Sequence, residues 1–133
     1  MKKDIIVKIE SVVNGEKSSW QTTGEYDFKE DTHLVAYTDY TSNAITKNGL
    51  YAGKDSMLLH RVGAITCDML FDLKSDTLAK YNAFMIENPF IVHTSVYTVH
   101  ASPDVVEIQL RYELTDSTNA EPIQGSQKIL LCF

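Results

Sequence analysis

Apolar and polar residues alternate through most of this chain. The pattern is cleanest where Val106, Ile108, Leu110, Tyr112 and Leu114 interleave with Glu107, Gln109, Arg111 and Glu113. Side chains point alternately to the two faces of a strand, so this period of two predicts a half-buried strand. Met57–Leu73 carries the same signal. Met57, Leu59, Arg61, Gly63, Ile65, Cys67, Met69, Phe71 and Leu73 form one nearly apolar face, with a single cation and a single glycine in its middle. The alternate set, from Leu58 and His60 to Asp68 and Asp72, grows more polar along its length. The stretch predicts strand structure with its odd-numbered face on a core, bending or turning at Gly63.

The rest of the chain reads in the same way. Ile5, Val7, Ile9 and Val13, set against Lys8 and Glu10, predict a first strand over 4–13. Asn14-Gly15 then signals a tight hairpin, because both residues tolerate positive φ. Trp20, Thr22, Gly24, Tyr26 and Phe28 share a face of the second strand, and Gly24 among aromatics marks a bend or a close backbone approach. A polar turn at 29–32 leads to a third strand over 33–40, on which Tyr37 and Tyr40 face opposite ways. A turn is expected at 41–43, and Asn48-Gly49 signals another hairpin within 44–51. Residues 77–86 are compatible with two helical turns, but Thr77, Ala79, Tyr81 and Ala83 also form one strand face, and the neighbouring strands favour that assignment. Glu87-Asn88-Pro89 is expected to break the chain, since proline cannot donate to a ladder. A strand over 90–99, a turn over 101–104, a polar loop over 115–125 and a final strand over 127–133 complete the reading.

About eight to ten strands joined by short turns, without linker or repeat, predict one all-β domain over residues 1–133. Short connections favour an antiparallel meander, which closes into a barrel to remove its edges. A barrel of about eight strands has an interior wide enough for its own side chains or for one small ligand.

Composition narrows the function classes. A chain of 133 residues suffices for one well-buried core, and 44% apolar with 23% charged residues lies far from the disordered range. The net charge of −6 disfavours nucleic acid, whose phosphates need clustered positive charge. No run of about 18 apolar residues signals a membrane helix. Lys2-Lys3 resemble the start of a signal peptide, but Asp4, Lys8 and Glu10 interrupt any apolar core behind them. The segment therefore reads as the first strand of a non-exported protein. Cys67 and Cys132 lie far apart in apolar stretches and are expected to be free thiols, which suits a reducing cytoplasm. Neither a nucleic-acid nor a membrane partner is expected, and no pattern reports the oligomeric state.

Candidate chemistry centres on Arg61. On a face with Met57, Leu59, Cys67 and Met69 its charge must be paired or directed at an anion, because an isolated buried charge is very costly. Three placements are open: an anchor for a carboxylate or phosphate inside the barrel, a structural ion pair at the barrel end, or a solvated position at a rim beside a turn at Gly63. Trp20, Tyr26, Phe28, Phe71, Phe84, Phe90 and Tyr112 would line an apolar pocket or serve as ordinary core. His33, His60, His93 and His100 show no metal-ligand spacing. His93 and His100, at an odd separation, are expected on opposite faces of one strand. No nucleophile elbow, phosphate loop or zinc motif occurs, and neither cysteine adjoins a histidine. Asp68, Asp72, Glu107 and Glu113 fit the solvent faces of their strands.

Thr22-Thr23-Gly24-x-Tyr26, the strand with Tyr37, Arg61-x-Gly63-Ala64, Met69-x-Phe71, Ala79-Lys80-Tyr81, the Thr94 region and Tyr112-x-Leu114 follow one another in an order that resembles the YwiB-like family of small bacterial proteins. The chain departs from that pattern at Glu87-Asn88-Pro89-Phe90, where a glycine-containing turn is expected. The resemblance implies a lipocalin- or calycin-like barrel and a cytoplasmic bacterial setting, and it assigns no activity, cofactor or catalytic residue. Fold alone does not fix function. The expectation is a non-enzymatic barrel without cofactor or metal. It would bind a small apolar or anionic ligand through Arg61, Trp20, Tyr26, Met69, Phe71 and Tyr112; the alternative is a structural or protein-interaction barrel with a filled core.

Overall fold

Ile5, Val7 and Ile9 are buried on β1 (Lys3–Val13) while Ile6, Lys8 and Glu10 face out, and this alternation recurs around the whole molecule. The computed structural model describes residues 2–40, 45–63, 65–83, 86–116 and 121–133, and gives no account of the side chains of 65, 81–83 and 86–88. Among these residues there are ten strands and no helix. After β1 come β2 (Glu16–Lys29), β3 (Thr32–Asp39), β4 (Thr46–Ala52), β5 (Ser56–Gly63) and β6 (Ile65–Asp72). They are followed by β7 (Thr77–Ala83), β8 (Ile86–Ala101), β9 (Val105–Thr115) and β10 (Ile123–Cys132). Each pairs antiparallel with its sequence neighbours, and β1 pairs with β10 from Ile6↔Cys132 to Val13↔Gly125, which closes the meander into a barrel.

The turns follow from their residues. Asn14 and Gly15 have φ of 49° and 85°, the two positive values that a two-residue hairpin between right-twisted strands requires. Glu30 and Asp31 do the same work between β2 and β3, at φ of 52° and 60°. Met57–Leu73 is a hairpin of β5 on β6 with Arg61 opposite Cys67. Odd residues pair with odd, so Met57, Cys67 and Phe71 are buried on one wall with Leu59, Arg61 and Met69 partly so. Gly63 turns the chain at φ 149°, where an added Cβ would lie 2.3 Å from the Ile45 carbonyl oxygen. Leu73 falls in the following turn and is exposed.

Four sequence expectations are corrected. Asn48-Gly49 is no hairpin; it lies inside β4, with Asn48 opposite Tyr37 and Arg61. Pro89 does not break the chain but sits in β8 opposite Lys80, on a stretch that pairs with β7 before β9 joins at Ile91. Proline is tolerated in a strand where pairing is one-sided, as it is at this position among the described residues. The last strand starts at Ile123, four residues before 127, because the ladder with β9 already begins at Ile123↔Leu114; Gly125 lies inside it opposite Tyr112, whose ring leaves no room for a Cβ. Finally, a bulge between Thr94 and Val96 leaves Ser95 and Val96 both exposed and reverses the parity of β8. His93 and His100 therefore share the outer face. The strand over 77–86 is borne out across Thr77–Ala83; the turn at 41–43 and the side chain of Phe84 lie outside the described residues.

Candidate functional site

Arg61 points inward near the barrel end and is met by partners from two adjacent strands. Its Nε donates to Asn48 Oδ1 at 2.9 Å and its Nη2 to Asp39 Oδ2 at 3.3 Å, with side chains only 22% and 14% exposed on Arg61 and Asp39. Asn48 is itself buried and donates from Nδ2 to the Thr46 carbonyl at 3.3 Å. The charge is thus neutralised across β3, β4 and β5, as in the structural placement of the guanidinium. Burial pushes the Tyr37 phenol up to about 12, Arg61 opposing and Asp39 reinforcing that shift. Burial likewise raises the Cys67 thiol, against the pull of Arg61.

The aromatic candidates do not converge with Arg61 on one pocket. Trp20 is half-buried and lies 5.9 Å from Tyr37, ring centre to ring centre. Phe71 and Tyr112 pack on each other at 5.1 Å inside the barrel. Met69 leans on the same core from β6. Tyr26 belongs to another cluster: its hydroxyl is 2.7 Å from His33 Nδ1 and its ring 4.8 Å from Phe133. Phe28 lies over His33 and is 49% exposed, beyond the core. The interior between these groups holds Val7, Leu50, Met57, Val92, Ile108 and Leu131, each less than 2% exposed.

Space for a ligand appears instead on the outer wall. The β2–β3 ladder runs from Lys29↔Thr32 only to Gly24↔Tyr37. Both strands continue past that point: β2 stays on β1 back to Glu16, and β3 stays on β4 as far as Asp39. Thr22, Thr23, Thr38 and Asp39 thus keep a ladder partner on one side alone. Gly24 permits the last close approach, since a Cβ there would stand 2.9 Å from the Ala36 carbonyl oxygen. Beside this parting lies a groove of about 870 Å³, within the range of about 300–1,000 Å³ usual for small-molecule sites. Thr23, Gly24, Ala36 and Thr38 line it together with Ile6, Tyr40 and Phe133; Tyr37 and Asn48, the latter holding Arg61, also border it. Sequence reasoning missed Thr23, Ala36, Thr38 and Tyr40, and their only local signal is the run Thr22-Thr23-Gly24.

A second parting lies between β6 and β7, which share only Ile65↔Ala83 to Cys67↔Tyr81. There Thr77 Oγ1 donates to the Leu70 carbonyl at 2.5 Å, and Cys67 borders an outer groove of about 350 Å³. Two histidines are held by carboxylates on the exterior, His93 Nδ1 by Asp76 at 2.7 Å and His60 Nδ1 by Asp68. Among the described residues no three histidine, cysteine or carboxylate side chains converge as metal ligands. Cys67 and Cys132 are free thiols, and no helix is long and apolar enough to cross a membrane.

No curated protein matches the chain. The solved structure of the ywiB protein from Bacillus subtilis matches 98% of this chain and 92% of its own, with a TM-score of 0.86 at 19% identity, a likeness that carries the fold. The sequence resemblance is thereby borne out: with residues 5–125 matching its family model, the chain belongs to the family described as Domain of unknown function (DUF1934).

Proposed function

We propose that this protein is a non-catalytic cytoplasmic binding barrel, whose packed interior is a scaffold and whose small-molecule site is the outer groove at the parting of β2 and β3. The observation that carries the reading is that groove of about 870 Å³, set against an interior occupied by side chains and an Arg61 already satisfied by Asp39 and Asn48. The free thiols support a reducing setting. The Asp–His pairs lie on the exterior without a nucleophile bonded to either imidazole among the described residues, which supports a role without catalysis.

The test is a thermal-shift and native mass-spectrometry screen of a metabolite panel with wild type and Ala36→Trp. Ala36 is exposed and lines the groove, so tryptophan obstructs the groove at small cost to the fold. A ligand at a hundred times its Kd stabilises the wild type by about 2.7 kcal/mol, an upward shift in Tm of about 10 °C, and the variant loses that shift. A panel without effect, or a ligand indifferent to Ala36→Trp, sinks the proposal. A protein-interaction role has one specific observation behind it: Leu78 and Ile91 face each other on the outer wall of β7 and β8 at 67% and 49% exposure. A co-purified partner released by Leu78→Asp but retained by Ala36→Trp would favour that role.

A further inference from the structure

We infer that the groove between β2 and β3 takes a neutral polyhydroxylated ligand, an oligosaccharide; this rests on the groove being the binding site at all. Its charges argue against an anion. Asp4 and Glu25 border it against the single cation Lys47, and the molecule carries −6 overall. Arg61, the cation nearest its inner side, is engaged by Asp39 and Asn48. Glu25 has only a long, exposed pairing with Lys2 at 3.8 Å, and Asp4 makes no ion pair among the described residues.

The floor argues against a purely apolar guest. A fatty chain laid across Thr23 and Thr38 would strip their hydroxyls of water and return no hydrogen bond. The walls, however, are apolar and aromatic. Tyr40 is 69% exposed, and Phe133 and Ile6 are 41% and 43% exposed on the opposite side. An exposed tyrosine supplies rigid contact area with a polar tip at low entropic cost. A sugar satisfies both demands. Its C–H face lies flat against an aromatic ring, and each of its hydroxyls both donates and accepts, so it serves carboxylates, threonine hydroxyls and a lysine ammonium alike.

The experiment is a ¹⁵N-resolved NMR titration of the full chain with maltotriose, cellotriose and chitotriose, and with citrate and laurate as the anionic and apolar probes. At least one trisaccharide is expected to give saturable shifts at the Thr23, Thr38 and Tyr40 amides, and Tyr40→Ala to weaken that binding at least tenfold. Ala36→Trp abolishes it by obstructing the groove, and it serves as the second variant if Tyr40→Ala fails to fold. Saturable shifts at those amides with citrate or laurate and with no trisaccharide overturn the ligand class and leave the groove as the site. Absence of shifts there with every probe overturns both.

Discussion

Thr94 is buried on the inner face of β8 at the bulge, and its Oγ1 has no hydrogen-bond partner among the described residues. An unsatisfied buried hydroxyl costs about 1–3 kcal/mol in desolvation, and replacing it with a methyl group of nearly the same shape removes that cost. Thr94→Val is therefore expected to raise the urea-unfolding free energy by about 1 kcal/mol with an unchanged m-value. Arg61 is the opposite case. Removing its head in Arg61→Leu takes the guanidinium away from the Asp39 carboxylate and the donor away from the Asn48 side-chain carbonyl in a half-buried place, an expected loss of about 1–3 kcal/mol. A double-mutant cycle with Asp39→Leu should return a favourable coupling of about 1 kcal/mol; additive losses would show that the pair is only a surface contact.

Tyr26 and His33 join β2 to β3 at the far end of their ladder, where the phenol oxygen and the ring Nδ1 share a hydrogen bond of 2.7 Å. Burial lowers the His33 pKa below that of the unfolded chain. As pH falls through about 6.5 the unfolded state takes up the proton first, so this contribution is fully present above that pH and fades below it. Wild type is thus expected to lose more Tm than His33→Gln between pH 7.5 and 5.5, and parallel curves would contradict the assignment. His33 was legible in the sequence only as a residue without metal partners. Its role depends on a cross-strand neighbour that a single strand does not reveal. The same division holds for the elements. The faces of β1, β5, β6 and β9 could be read directly, because period two survives wherever a ladder is regular. Asn48-Gly49, Pro89 and the bulge at Ser95 were misread or missed, since turn chemistry and parity there are overruled by register with β3, β7 and β9. The groove was the least legible feature. It exists because two ladders stop at different places, and its lining is gathered from five strands, each unremarkable alone.

Closure makes the molecule a ring in which no strand is structurally first. β1 lies between β2 and β10, and Lys3 Nζ stands 4.9 Å from the Phe133 ring, so the two ends of the meander meet at one rim. A circular permutant that joins residue 133 to residue 2 through a short glycine linker and opens the chain between Asn14 and Gly15 breaks no ladder. It gives up one tight turn and gains another connection, and loop-closure entropy varies only slowly with length. The permutant is expected to keep the native β signature in circular dichroism with a Tm lowered by a few degrees. Deleting 123–133 instead removes the strand that pairs with both β1 and β9. That bares Ile5, Val7 and Ile9 along one new edge and Val106 and Ile108 along the other. Two long edges with buried apolar rows cannot hold a cooperative fold and invite pairing between chains. The deletion should therefore yield an aggregating chain without a thermal transition. If it melts cooperatively while the permutant does not fold, the order of strands along the chain, and not the closed ring, holds the molecule together.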